Sequence, residues 1–352
     1  MTKERFEALD GLRGVVSFAV LCDHGSILLA KEHWLAHASI SVDFFFLLGG
    51  FLLSQGYGEK LKNGLPVSDY MIRRVIRLYP MILFGVVFGA FASVLATRQS
   101  PALIAAPTLA ELLTLPWPWA HFSFSLWPID PPIWSLFWQV LATIAFGLWG
   151  FRQSTKRLVW LCALGAVGLF IVDAIKHNLG LGYQITSVGV GAARLLFSFP
   201  AGIILNRLHR ANRLPRFGPS ALVLAIALAA AILVPMPAVI MDPVMIMLIC
   251  PAIVIAGANS TSKGAIVKFV GRLSYPLYLV HWPLLVLFDP STDPLRTSHV
   301  GLYVAFVSLS LGLAIVALLF YDEPLRNRLN RSWRERLAAK QASPSALEPT
   351  AA

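Results

Sequence analysis

The chain places an arginine and a histidine inside an apolar run near its start. The segment DGLRGVVSFAVLCDH carries Arg13 and His24 eleven residues apart, about three helical turns, so both share one face of a helix. A guanidinium suits phosphate binding, and an imidazole suits proton transfer near neutral pH. We interpret both as catalytic residues. The alternatives are that Arg13 extends to the membrane surface and that His24 is a packing residue.

Two aspartates could accompany His24. Asp23 adjoins it and therefore points about 100° away around the helix. Asp43 opens the next apolar segment, and in an antiparallel neighbour it would lie at a similar depth. We predict that Asp43 is the third catalytic residue and stabilises the imidazolium of His24, although a carboxylate at the membrane surface would give the same pattern.

A cluster of arginines follows in YMIRRVIRLYP. Arg73, Arg74 and Arg77 stand at positions i, i+1 and i+4, so Arg77 lies close to both others on a helix. Guanidinium groups offer paired N–H donors to phosphate, which predicts a binding site for a phosphate-bearing donor. A cluster that only anchors the helix at the membrane surface would also be basic.

Two further apolar segments, IWSLFWQV and LSYPLYLVHWPL, carry polar residues at helical spacing. They could line a polar path that supports the catalytic residues, or they could hold helices together by hydrogen bonds. The three cysteines lie far apart in apolar runs, and no metal-ligand spacing is present, so we expect no metal and no bound cofactor. The residues of the predicted path are Trp134, Ser135, Gln139, Ser274, Tyr275, Tyr278 and His281.

The composition is that of an integral membrane protein. Of 352 residues, 57% are hydrophobic and only 13% are charged, too few for the polar surface of a soluble chain. Apolar runs long enough for a membrane predict an all-α bundle of about ten transmembrane helices. The approximate limits are 12–30, 38–57, 75–97, 133–150, 157–175, 187–205, 219–235, 240–258, 270–288 and 299–321.

The basic residues predict the orientation of these spans. Most of the 29 lysines and arginines fall in alternate connections, which places both termini in the cytoplasm and explains the net charge of +11 without nucleic acid. We expect one membrane domain over residues 1–325 and a basic cytoplasmic tail over 326–352 that is disordered at its end. The first apolar run is read as a retained helix and not a cleaved signal.

The connection from about 98 to 132 contains LPWPWAHFSFSLWPIDPP. Its prolines exclude a long regular helix, and its tryptophans suit a membrane interface. The alternative is an aromatic platform on which a sugar could stack.

Taken together, LDGLRG with Arg13 and His24, VDFFFLLGGFLLS, RRVIRLYP, IWSLFWQV, LSYPLYLVHWPL and YDEPLRNRL resemble the acyltransferase 3 family of membrane O-acyltransferases. The match extends in order over nearly the whole chain. The resemblance implies transfer of an acyl group, often acetyl, from cytoplasmic acyl-coenzyme A to a hydroxyl of a sugar, polysaccharide or small molecule. It implies a multi-pass protein of the cell membrane, here a bacterial inner membrane, with Arg13 and His24 essential and the three clustered arginines serving the donor.

Two residues depart from the family pattern. Gln139 stands where the family usually has glutamate, and Gly49 precedes Gly50-Phe51 where the family has serine. Glutamine cannot act as an acid or a base, so a proton role at that position is in doubt. Two other functions stay open: a proton-coupled transporter using His24, Asp43 and His281, and a binding protein without turnover.

Overall fold

The computed structural model describes residues 6–29, 34–98, 100–119, 123, 125–288 and 300–342, and within these ranges the regular structure is helical without any strand. Four of the helices continue into short 3₁₀ or π turns. The all-α class is confirmed. The helices are α1 (Glu7–His24), α2 (Ser41–Leu53), α3 (Glu59–Lys62), α4 (Val67–Thr97), α5 (Pro101–Leu112), α6 (Ile133–Leu148), α7 (Thr155–Lys176), α8 (Val188–Arg210), α9 (Ala221–Leu233), α10 (Ala238–Val244), α11 (Cys250–Asn259), α12 (Ala265–Leu287), α13 (Val300–Val316) and α14 (Glu323–Ala342).

Within the described residues, seven helical segments are long and apolar enough to cross a membrane. They coincide with seven of the predicted spans, and the chain is therefore a multi-pass membrane protein. The predicted spans 133–150 and 219–235 correspond to the shorter apolar helices α6 and α9, and span 270–288 lies in the 23-residue helix α12. The total of ten spans stays a prediction. Helix α5 is a finding that the sequence did not predict.

Arginine and lysine residues lie together at one end of the bundle, which we call the basic end. This end includes the starts of α4, α7 and α12 and the end of α8. His24 and Asp43 lie at the opposite ends of their helices. Helix α14 continues to Ala342, and residues 343–352, where disorder was predicted, lie outside the described part of the chain, as do Lys3, Arg5, Lys31 and Arg296.

Helices α1 and α12 make the most extensive contact among the described helices. Gly14 and Gly271 lie at their contact, where a Cβ on either would overlap the backbone of the other helix. Ser17 Oγ donates a hydrogen bond to the Ser274 carbonyl oxygen across this contact (3.0 Å). Small residues of this kind let two helix backbones approach without lipid between them. The contact brings Arg13 next to the polar residues of α12.

Helices α2 and α8 meet through a second pair of glycines. A Cβ on Gly50 would overlap the carbonyl oxygen of Phe199, and one on Gly202 would overlap that of Leu47. Gly50 thus lets the backbone of α8 approach that of α2 closely. Gly49 instead faces the side-chain amide of Gln139, where a Cβ would lie 2.6 Å from Nε2.

Replacing Gly50 with alanine is expected to lower the free energy of unfolding by about 1–3 kcal/mol, because the methyl group must separate two tightly packed backbones. Thermal unfolding in detergent measures the effect. The control is Gly56→Ala, where a Cβ meets nothing within 4 Å. Equal stability of the two variants would contradict the close packing of α2 on α8.

The connection between α5 and α6 folds around one buried carboxylate. Glu111 accepts backbone N–H bonds from Ile129 (2.7 Å) and Asp130 (2.9 Å). Trp127 is fully buried and its indole N–H donates to the Thr114 carbonyl (2.9 Å), whereas Trp119 is exposed. The tryptophans of this segment therefore divide between the core and the surface.

Burial raises the pKa of Glu111 from its ordinary value of 4.5 to about 8, despite the two N–H donations, and burial with the neighbouring Glu111 charge raises the pKa of Asp130 as well. The folded protein thus retains protons that the unfolded chain has lost. The contribution of Glu111 to stability is therefore complete below pH 4.5 and is lost as the pH rises towards about 8.

Glu111→Gln is expected to flatten this fall, since glutamine cannot ionise. The midpoint temperature of unfolding, followed across this pH window, checks the prediction. Glu335→Gln, at an exposed position of α14, is the control and should keep the wild-type pH dependence. Parallel curves for wild type and Glu111→Gln would contradict the assignment.

Candidate active site

A cavity of about 290 Å³ lies between helices α1, α2, α4, α6 and α12. Its wall combines apolar side chains of α2 with polar groups from the other four helices. Seven of the residues predicted from sequence as donor-binding or path residues line it together with Arg13. These eight are Arg13, Arg74, Arg77, Ser135, Gln139, Ser274, Tyr275 and Tyr278.

Three arginines face this cavity from two helices. Arg13 of α1 interacts electrostatically with Arg77 and Arg74 of α4, and its Nη1 lies 3.9 Å from Asp10 Oδ1. The buried Nε of Arg74 has no hydrogen-bond partner among the described residues. Arg73 does not line the cavity, so the predicted cluster of three on α4 is reduced to two, with Arg13 as the third cation. Like charges held this close favour an anionic ligand.

The hydroxyl groups of α6 and α12 meet at the end of the cavity away from the arginines. Ser135 Oγ and Tyr278 Oη lie 2.8 Å apart, and both are within hydrogen-bond distance of the Pro132 carbonyl (3.1 and 3.2 Å). Gln139 projects from the next turn of α6, and its buried Oε1 has no partner among the described residues. Two hydroxyls and an amide thus lie around one space, with the hydroxyl hydrogens engaged between Ser135, Tyr278 and the Pro132 carbonyl.

The remaining path residues are hydrogen-bonded within the fold. Tyr275 Oη donates to the Leu78 carbonyl (3.0 Å), and Ser274 Oγ donates to the Gly271 carbonyl (2.8 Å). Trp134 lies elsewhere: its ring packs against the guanidinium of Arg194, 5.4 Å from the ring centre. Trp134 therefore supports the bundle and is not one of the cavity residues.

His24 and His281 contact each other directly. His24 Nδ1 lies 2.9 Å from His281 Nε2, and the rings are stacked with centroids 5.2 Å apart. His281 is buried, and its Nδ1 lies 3.1 Å from the Leu277 carbonyl oxygen, which can only accept. Nδ1 of His281 therefore carries hydrogen, its Nε2 accepts from His24 Nδ1–H, and the lone pair of His24 is on Nε2. This tautomer presents His24 as a base.

The histidine pair lies outside the cavity wall, beside one of its lining residues. The ring of His281 lies 5.8 Å from that of Tyr278, which lines the cavity. Trp282 packs edge-on against His24 (5.2 Å between ring centres). From the basic end to the opposite end, the order of groups is guanidinium, amide and hydroxyl, then imidazole.

The predicted pairing of Asp43 with His24 is wrong. Asp43 Oδ2 accepts from Arg194 Nε (3.0 Å) and Nη2 (2.6 Å), and Oδ1 accepts from Ser198 (3.4 Å). Both charged side chains are buried. The position of Asp43 along α2 could be predicted from the sequence, but its direction around the helix could not, and the side chain points towards α8. Asp43 neutralises a cation of the bundle, and His281 takes the position beside His24.

Arg194 is the residue that sequence reasoning overlooked. It also donates to the carbonyl oxygens of Ser39 (2.7 Å) and Leu181 (3.2 Å). Arg194 therefore joins α8 to the start of α2 and to the connection that precedes α8. A lone arginine inside an apolar span requires a buried acceptor, and this was the available signal. Asp23 accepts the backbone N–H of Leu35 (3.3 Å).

The site thus combines, in a multi-pass bundle, a basic cavity with a pair of imidazoles packed beside one of its lining residues, Tyr278. The comparison with known families agrees: a family described as an acyltransferase domain, acyltransferase 3, matches residues 6–321. The chain belongs to this family and is a membrane acyltransferase.

Two curated proteins are similar to the chain. Protein 2 in the picA locus of Rhizobium radiobacter is 29% identical over 185 residues, which cover 49% of this chain and 96% of that protein. Acyltransferase MdmB of Streptomyces mycarofaciens is 27% identical over 318 residues, covering 80% of this chain and 79% of that protein. No solved structure matches the chain.

Proposed function

We propose that this enzyme moves an acyl group, acetyl in the simplest case, from acyl-coenzyme A to a hydroxyl of a sugar, polysaccharide or small molecule. The observation that carries the proposal is the single cavity that joins three arginines to the hydroxyls of Ser135 and Tyr278, next to the histidine pair. In this proposal an anionic donor would bind at the arginine end of the path, and the base would act at the other end.

The donor would enter at the basic end. Arg13, Arg74 and Arg77 would bind its phosphates, and the apolar wall of α2 would accommodate the pantetheine arm. A volume of about 290 Å³ is small for a complete donor, which favours a nucleotide held at the mouth and only the thioester arm inside. By the distribution of basic residues, this mouth faces the cytoplasm, and the protein belongs in a bacterial inner membrane.

The chemistry requires one proton transfer in each direction. His24 Nε2 would take the proton of the acceptor hydroxyl as its oxygen attacks the thioester carbonyl. A C–O bond forms, the C–S bond breaks, and the proton passes from His24 to the departing coenzyme A thiolate. His281, as acceptor of His24 Nδ1–H, would hold the imidazole in this orientation.

The tetrahedral intermediate places a negative charge on the former carbonyl oxygen. The NH₂ of Gln139 would donate to this oxygen, and Tyr278 or Ser135 would add a second donor once its hydrogen turns away from the Pro132 carbonyl. A donor fixed in place stabilises such a charge as it develops. The substitution of the family glutamate by Gln139 is compatible with this role, since an amide can donate a hydrogen bond but cannot exchange a proton.

The alternative of a proton-coupled transporter depended on His24, Asp43 and His281 as one path. Asp43 is bonded to Arg194 and Ser198, which leaves the two histidines without the third member of that path. The acyltransferase function is therefore preferred. A binding protein without turnover remains the outcome if no acyl transfer is found with any acceptor.

Arg77→Gln is expected to raise KM for acyl-coenzyme A about tenfold, because one charge-assisted bond to phosphate is lost, with a smaller change in kcat. Initial rates against donor concentration measure both constants. Arg73→Gln removes the same charge from a neighbouring position outside the cavity wall and should change KM little. Equal increases in KM for both variants would contradict a donor site in the cavity.

The acceptor can be found by comparing cells with and without this gene. Mass spectrometry of surface glycans and secreted metabolites should show one acyl substitution that is lost with the gene and restored by the wild-type chain. Restoration by a chain carrying His24→Ala would count against the proposed enzyme reaction, and unchanged substitution in every fraction would count against an acyltransferase acting on these acceptors.

A further inference from the structure

A second cavity, of about 340 Å³, opens at the basic end of the bundle. It lies between the segment Ser54–Lys62 after α2, the turn between α6 and α7, and the end of α8. The side chains of Leu53, Tyr70, Phe146 and Phe199 form an apolar cluster beside it, and none of the residues that line the donor cavity lines this one. The two cavities are thus separate sites.

Four cations line this second cavity against one carboxylate. Glu59 Oε1 accepts hydrogen bonds from both Arg210 Nη1 (3.2 Å) and Lys62 Nζ (3.3 Å). Arg207 Nη1 donates to Thr155 Oγ1 (3.2 Å), and the Arg152 guanidinium lies over the Phe151 ring at 5.0 Å. Within the described residues, therefore, neither Arg152 nor Arg207 forms an ion pair at contact distance, although the charge of Glu59 acts on Arg207, and four cations face one carboxylate in this cavity.

Neutral donors and an apolar wall complete the cavity. Ser154 and Thr155 line it at the start of the 22-residue helix α7, whose first-turn N–H groups add a partial positive charge. Phe146 and Phe151 form the apolar part of its wall. A ligand that matches this combination has a phosphate group and an apolar portion beside it.

We propose that this cavity binds the phosphate of an anionic membrane lipid at the basic end of the bundle. A lipid is favoured over a soluble phosphate because the cavity lies where apolar helices end, and basic pockets between such helices suit anionic headgroups. Arg207 and Arg152 supply the charges that bind phosphate, and the phenylalanines face the start of the acyl chains. The site is independent of acyl transfer.

Native mass spectrometry of the full-length, delipidated protein in neutral detergent tests the proposal. Phosphatidylglycerol should bind more tightly than phosphatidylcholine with the same acyl chains. The double variant Arg152→Gln/Arg207→Gln should lose about tenfold in affinity for phosphatidylglycerol, since two charge-assisted bonds are removed. Arg207→Lys, which retains the charge, should lose less than Arg207→Gln.

The matched control is Arg213→Gln/Arg216→Gln, which removes two exposed charges from the same end of the bundle. It should bind phosphatidylglycerol as the wild type does. Unfolding temperatures in detergent alone establish that both double variants are folded. An equal loss of affinity in the control, equal binding of the two lipids, or displacement of phosphatidylglycerol by pyrophosphate or coenzyme A would overturn the proposal.

Discussion

His24→Ala is expected to reduce kcat for acyl transfer by about 10²–10⁴-fold, the usual contribution of a positioned general base, with little change in KM for the donor. The reason is geometric: the imidazole is bonded at Nδ1 to His281, which directs Nε2 as the proton acceptor. Steady-state rates in detergent or nanodiscs measure the effect. Added imidazole should restore part of the activity, because the truncated side chain leaves space for it.

The control for this variant is His177→Asn. His177 is exposed and has a left-handed backbone (φ 51°), a conformation that asparagine tolerates. It should keep wild-type rates. Retention of near-wild-type kcat by His24→Ala would remove His24 from the mechanism, and an unfolding temperature equal to that of the wild type would exclude misfolding as the cause of a loss.

Asp43→Ala is expected to lower the free energy of unfolding by about 3–5 kcal/mol, because it leaves the buried guanidinium of Arg194 without its carboxylate. Denaturant or thermal unfolding in detergent measures the loss. Glu335→Ala, which removes an exposed acid from α14, should have little effect.

The double variant Asp43→Leu/Arg194→Met distinguishes a structural ion pair from a catalytic carboxylate. Replacing both charges by apolar groups should recover most of the stability that Asp43→Ala loses, since no unpaired charge remains. If Asp43 only neutralises Arg194, acyl transfer should recover together with stability. A stable double variant without activity would indicate that Asp43 is a catalytic residue.

The helical membrane fold could be predicted because it depends on composition and run length. Apolar runs of about 20 residues have few alternatives to a helix in lipid. The connection between α4 and α6 was harder to predict from the sequence. Its helix α5 and the bonds of Glu111 to Ile129 and Asp130 depend on residues 18 and 19 positions apart, and a local pattern does not indicate such contacts.

The candidate site was predictable along each helix but not around it. Arg13 and Arg77 face one cavity, as residues at the same end of neighbouring helices should. Which neighbour each helix faces depends on close contacts such as those of Gly14 and Gly50, and these fix the rotation of α1 and α2. For this reason the predicted depth of Asp43 along α2 was correct, but its side chain faces Arg194 and not His24.

The histidine pair shows the same limit of prediction from sequence, here for a residue that was included in the predicted site. His281 was predicted as part of a polar path, yet its distance of 2.9 Å from His24 gives it a specific position in that path. The sequence separates the two histidines by 257 residues, and only the packing of α1 against α12 brings them together.

The most direct test of the central claim follows the acyl group itself. Inverted membrane vesicles, which expose the predicted cytoplasmic face, are supplied with coenzyme A carrying a labelled acetyl group, and the label is traced to hydroxyl-bearing products. Transfer is expected with the wild-type chain in inverted vesicles, not in right-side-out vesicles, and not with His24→Ala. Proton flux driven by a solute gradient, with no label transferred in either orientation, would contradict the assignment of the cavity and the histidine pair to acyl transfer.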